Sequence, residues 1–135
     1  MAVTIAVYAA PSSFAYADMP SAAKSQIDLT FRAFSDPIRL RILSLIEPGE
    51  LCVCDLVEVL KLPQPTISRH LSYLRRAGLV KVRRQASWNY YELAPARSVF
   101  HTKLLECLGS CFRDVPEMSG DAMKARAIRK RGGCC

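Results

Sequence analysis

The stretch "LPQPTISRHLSYLRRAGLVKVRRQASWNYYEL", residues 62–93, changes its hydrophobic period part-way along, and that change decides the fold. From Pro65 to Ala77 the apolar side chains Ile67, Leu71 and Leu74 recur every three or four residues, the period of a helix with one buried stripe. Pro65 suits the first turn of such a helix and Gly78 suits its stop. Beyond the glycine, "LVKVRR" and "WNYYEL" alternate like two strands around a Gln85-Ala86-Ser87 turn.

Upstream, the segment from about Cys52 to Leu60 spaces Val53, Leu56 and Leu60 for one buried face, and Leu62-Pro63-Gln64 turns the chain. Asp36-Pro37 gives an N-cap followed by proline at the first helical position. The helix it opens carries Ile38, Ile42, Leu45 and Ile46 and ends at Pro48-Gly49. Ile27 to Phe34 reads as a further short helix. Ala96 to Phe112 reads as the last one, with Phe100, Leu104, Cys107, Leu108 and Cys111 on one side. Helix, short turn, helix and ribbon is the winged helix-turn-helix plan. The expected fold class is therefore mainly α with a two-stranded β wing, in a dimer. Residues 1–26 are expected to be a disordered extension. Residues 27–113 form the DNA-binding and dimerisation domain, and 114–135 a flexible basic tail ending in cysteines.

Charge supports a nucleic-acid partner. The 135-residue chain has a formal net charge of +7, and from Lys61 to Tyr91 it carries basic residues with no acidic one. A single-sign block inside a patterned segment points to a polyanion. Arg69, Ser72 and Arg76 fall opposite the apolar stripe of the Pro65 helix, and a recognition helix reads bases mainly with its N-terminal residues. Gln64, Thr66, Ser68 and Arg69 are the base-reading candidates. His70 lies at the edge of the stripe, suited to packing or to a phosphate. Lys81, Arg83, Arg84 and Gln85 suit phosphate contacts from the ribbon, with Trp88 and Tyr90 anchoring it.

The N-terminal "MAVTIAVYAAPSSFAYADM" is apolar, and Ala15-Tyr16-Ala17 resembles a cleavage site. Its first basic residue is Lys24, however, and a signal peptide needs a positive start. Translation from Met19 is one expectation that follows. No stretch is long enough to span a membrane. The expected location is cytoplasmic, where cysteines serve as thiols for metals or redox chemistry. The six cysteines come in pairs, Cys52 with Cys54, Cys107 with Cys111, and Cys134 with Cys135. Short spacing is what a thiophilic ion needs, because two or three thiolates chelate where one binds weakly.

"ELCVCDLVEVLKLPQPTISRHLSYLRRAGLVKVRRQASWNYYEL", with "FRAFSDPIRLRILSLI" before it, resembles the ArsR family of metalloregulatory repressors, most closely its arsenic-responsive branch. The resemblance spans roughly Ile27 to Phe112. It implies a homodimer that occupies operator double-stranded DNA when unliganded. It also implies release on binding trivalent arsenic (arsenite) or antimony, so that arsenic-resistance genes are transcribed, with no organic cofactor. Cys52 and Cys54 match the ion ligands, Ser68 and His70 the recognition helix, and Arg83–Trp88 the wing. The branch often continues "CVCDLC", whereas here the third thiol is replaced by Val57. A third thiolate would then come from Cys107, Cys111, Cys134 or Cys135, or else two thiolates suffice with solvent or a methyl group in the third place.

Other readings stand beside this one. A repressor of the same fold could sense oxidants by disulfide formation, or bind cadmium or lead through four thiolates. The zinc and nickel sensors of the family use a D-x-H arrangement on the last helix, which here offers only His101. "CLGSCFR", Cys107 to Arg113, satisfies the C-x5-R pattern of cysteine phosphatases and arsenate reductases. That chemistry needs a loop after a strand, and here the pattern lies in an amphipathic helix. Finally, residues two apart on an ideal helix point about 200° away from each other. Cys52 and Cys54 can share an ion only if the helix starts after Cys52 or its first turn unwinds.

Overall fold

The computed structural model describes residues 21–133. Its elements run α1 (Ser21–Phe34), α2 (Pro37–Ile46), β1 (Leu51–Cys52), α3 (Val53–Leu60), α4 (Gln64–Arg76), β2 (Val80–Gln85), β3 (Trp88–Leu93), α5 (Val99–Ser110) and α6 (Pro116–Lys130). The helix-turn-helix is α3 and α4, which pack directly on each other. Asp36 caps α2 as its sequence predicts, the carboxylate accepting from the backbone N–H of Ile38 at 2.9 Å and Arg39 at 3.0 Å. Such a cap contributes about 1 kcal/mol. The core stripe of α4 is Ile67, Leu71 and Leu74, all fully buried against Ile42, Leu43, Ile46 and Leu56. Each side chain of this size contributes roughly 1.5–3 kcal/mol when buried.

Three expectations are corrected. The wing sheet has three strands, in the order β1-β3-β2, all antiparallel. β1 contributes only Leu51 and Cys52, opposite Tyr91 and Tyr90, and two residues are too few to show a period in sequence. Residues 21–26, assigned to the extension, are the first turns of α1, where the Gln26 side chain donates to the Ala77 carbonyl at 2.9 Å. Residues 1–20 lie outside the described residues.

The largest correction is the tail, where Pro116–Lys130 is a helix that buries Met118, Asp121, Ala125 and Ile128. It lies on α2 and α3. Its buried positions keep helical spacing, but the charged Asp121 interrupts the apolar stripe. Polar bonds add to this apolar burial: the Arg41 guanidinium donates to the buried Asp121 carboxylate at 2.7 and 2.9 Å, and that bonding holds the guanidinium pKa above its usual value. Arg129 donates to the carbonyls of Leu45 at 2.8 Å and Gly49 at 2.7 Å. These partners stand some eighty residues away in sequence, so local pattern could not reveal them.

Candidate sensor site and nucleic-acid interface

The sensor candidate is built by the junction of β1 and α3. Cys52 is extended, with φ −84° and ψ 165°, and α3 begins at the next residue. That break removes the helical 200° separation, and the Sγ atoms of Cys52 and Cys54 stand 2.7 Å apart. Of the two routes open to the sequence, the helix starting after Cys52 is the one found. Asp55 occupies the third helical position and its Oδ2 accepts from the Cys52 backbone N–H at 3.3 Å, a return bond that fixes the helix start. The ligand atoms of Cys52, Cys54 and Asp55 all lie within 4.8 Å of one another, the one such group of metal-ligating side chains among the described residues. Sequence reasoning missed Asp55, although an acid three residues after an N-cap is a legible signal.

Cys52 is buried and Cys54 half-buried. Cys54 opens on a cleft of about 280 Å³ formed with Val53, Val57, Gln64, Trp88 and Asn89. The site therefore touches α3, the start of α4 and the wing turn together. Val57, standing where a third thiol is common in the resembled branch, lines this cleft. Cys107 and Cys111 lie on α5 and at its C-cap and do not complete the group around Cys52 and Cys54 within one chain. Their thiols bond to each other. Hydrogen bonding with Cys107 and with Ser110 holds the exposed Cys111 thiol below its ordinary pKa, while the Cys111 bond and burial push Cys107 up. Cys134 and Cys135 lie outside the described residues.

The basic face follows from α4 and β2. Gln64 and Arg69 are exposed at the start of α4, Thr66, Ser68 and His70 are half-buried, and Arg83 and Arg84 are exposed on β2. His70 Nδ1 lies 3.9 Å from Asp36 Oδ1, so its ring leans on the cap of α2. Arg83 is held in a way the sequence did not announce. It donates from Nε to the Glu50 carboxylate at 2.9 Å, with a second bond from Nη2, and lies over the Tyr90 ring at 4.7 Å. Hydrogen bonding from Arg83 holds the Glu50 carboxyl below the usual range. Glu50 stands two residues before Cys52, and the thiol pair and wing thus share a strand, an ion pair and a cleft.

Residues 36–82 match the bacterial regulatory protein arsR family. The arsenical resistance operon repressor of Escherichia coli K12 is 43% identical over 82 residues, which cover 60% of this chain and 70% of the relative. The chain belongs to the ArsR family. An HTH-type transcriptional regulator of Methanocaldococcus jannaschii is 48% identical over 77 residues, 56% of this chain and 86% of the relative. Among solved structures, HlyU from Vibrio cholerae superposes with a TM-score of 0.60 at 31% identity, covering 70% of this chain and 98% of HlyU. This ArsR-family chain is a winged-helix transcriptional repressor and not an enzyme. Its Cys107–Arg113 pattern runs from α5 into the following turn, where Arg113 donates to the Gly109 carbonyl at 3.0 Å. No described helix is long and apolar enough to cross a membrane.

Proposed function

We propose that this repressor binds operator DNA as a homodimer and leaves it when trivalent arsenic or antimony binds Cys52 and Cys54, derepressing arsenic-resistance genes in the cytoplasm. One observation carries the reading: Cys52 is at once the last residue of β1, paired with Tyr90 of the wing, and the residue from which α3 starts. An ion drawing Cys52 and Cys54 into its own geometry pulls on the wing through β1 and on α4 through α3. Both DNA-reading elements are therefore displaced by one ligand. By linkage, DNA weakens ion binding by the same factor by which the ion weakens DNA binding.

Gln64, Thr66, Ser68 and Arg69 read base edges, His70 positions the helix, and Arg83 and Arg84 contact phosphates. The dimer forms through α1 and α5, whose exposed Phe31 and Val99 offer apolar surface, with the Phe31 and Phe100 rings 5.4 Å apart. The test is operator binding by fluorescence anisotropy, titrating arsenite under reducing conditions. Arsenite is expected to release the wild type while Cys52→Ser stays bound with unchanged affinity for DNA. Wild-type protein that stays bound in arsenite refutes the metalloid reading. Release by oxidant alone replaces it with thiol redox sensing.

A further inference from the structure

One row of residues crosses the wing sheet from the thiol pair to Arg83. Cys52 on β1 pairs with Tyr90 on β3, and Tyr90 pairs with Arg83 on β2. Directly paired residues of an antiparallel sheet present their side chains on one face. β1 and β2 are not neighbours, since the sheet order is β1-β3-β2. Glu50, two residues before Cys52, nevertheless joins them. Its carboxylate accepts from Arg83 Nε at 2.9 Å and from Nη2. Arg83 also donates from Nη1 to Gln85 at 2.8 Å, and its guanidinium lies over the Tyr90 ring at 4.7 Å. An arginine has five N–H donors. Glu50 and Gln85 take three of those on Arg83, and the others stay open to a phosphate oxygen.

We infer that Glu50 is the positioning residue for Arg83, and the link through which an ion on Cys52 and Cys54 disturbs the wing. This rests on the reading of the thiol pair as the ion site and of Arg83 as a phosphate contact. A long side chain gives up rotamer freedom when it is fixed against a partner. In the ion-free chain Glu50 has already fixed Arg83, so that cost falls before DNA arrives and not on binding. The ion undoes this through the backbone. Leu51, between Glu50 and Cys52, is buried in the core opposite Tyr91. A Cys52 drawn toward an ion therefore turns the short segment about an anchored residue and carries Glu50 with it. A bidentate carboxylate–guanidinium bond demands a planar fork, so a small displacement of Glu50 breaks it. The help that Glu50 gives to DNA binding thus exists only in the ion-free state, which is what coupling between two sites requires.

The test measures operator affinity of the full chain by fluorescence anisotropy, reduced, without arsenite and at saturating arsenite. It compares wild type, Glu50→Gln, Arg83→Gln and the double variant. Both side chains are partly exposed, Arg83 at 42% and Glu50 at 34%, so the effect is modest. Glu50→Gln should weaken ion-free binding by roughly two- to fivefold, as an exposed pair allows. It should leave the arsenite-bound affinity unchanged, so the factor by which arsenite weakens binding falls by the same amount. The double variant should match Arg83→Gln alone, because Glu50 acts through Arg83. A purely structural loss would weaken both states alike and keep that factor constant, which overturns the inference. Tighter ion-free binding by Glu50→Gln overturns it too, as do additive losses in the double variant. Wild type that stays bound in arsenite is a separate failure: it removes the thiol-pair reading itself, and the coupling with it.

Discussion

Asp121→Ala is the perturbation that examines the packing of α6 most directly. Asp121 is 4% exposed at its side chain and receives both bonds from Arg41, which is 19% exposed. Removing the carboxylate leaves Arg41 with Glu117 alone, at 3.0 Å and itself 64% exposed. An exposed pair contributes about 0.2–1 kcal/mol, whereas breaking a fully buried one costs roughly 3–5 kcal/mol. With one partner buried and the other near the surface, the expected loss is about 2–3 kcal/mol. For a domain of roughly 100 residues this lowers Tm by on the order of 10 °C. Asp121→Asn keeps an acceptor and should lose about half as much. Thermal unfolding at fixed protein concentration measures the loss, since assembly makes Tm concentration-dependent. Limited trypsin digestion reports where the loss falls, with Lys124 and Arg126 of α6 becoming the early cleavage sites. A Tm within a degree of wild type, or cleavage at Lys124 in the wild type as fast as in the variant, refutes the account of α6 as an integral helix.

Three more outcomes follow from the site geometry. Arg83→Ala should reduce the salt dependence of operator binding by about 0.9 in log–log slope, as the loss of one phosphate contact requires; an unchanged slope in anisotropy titrations removes Arg83 from the interface. His101 is buried, its Nδ1 accepting from the Arg97 N–H at 3.2 Å, and burial followed by the Arg97 charge lowers its pKa. Its neutral form belongs to the folded state, so its contribution is complete above the unfolded value of about 6.5 and is lost as pH falls through the depressed folded value. Urea unfolding between pH 7 and 5 should show that loss in wild type and a flatter profile in His101→Leu, and equal slopes would sink the assignment. Iodoacetamide at neutral pH should label Cys111 before Cys107, because the thiol bonds that lower Cys111 raise Cys107; peptide mapping that shows the reverse order contradicts it.

Sequence by itself determined the winged helix-turn-helix. The stripe of Ile67, Leu71 and Leu74, the Asp36-Pro37 cap and the Gly78 stop are local signals with local causes, and each stands where its pattern requires. The thiol pair was equally legible, as was the conflict between a shared ion and a regular helix at Cys52 and Cys54. Tertiary structure alone decided how that conflict resolves. Cys52 is extended because β3 offers it a strand partner at Tyr90, and a two-residue strand exists only once the wing has folded beside it. The same holds for the ion pair of Glu50 with Arg83. It holds most of all for α6, a polar segment whose helix is secured by Arg41 on α2 and by carbonyls near Gly49. Periodicity reports the burial of apolar faces, and in α6 the buried row of Met118, Asp121, Ala125 and Ile128 is broken by a carboxylate, whose partner Arg41 stands eighty residues away and leaves no local signal.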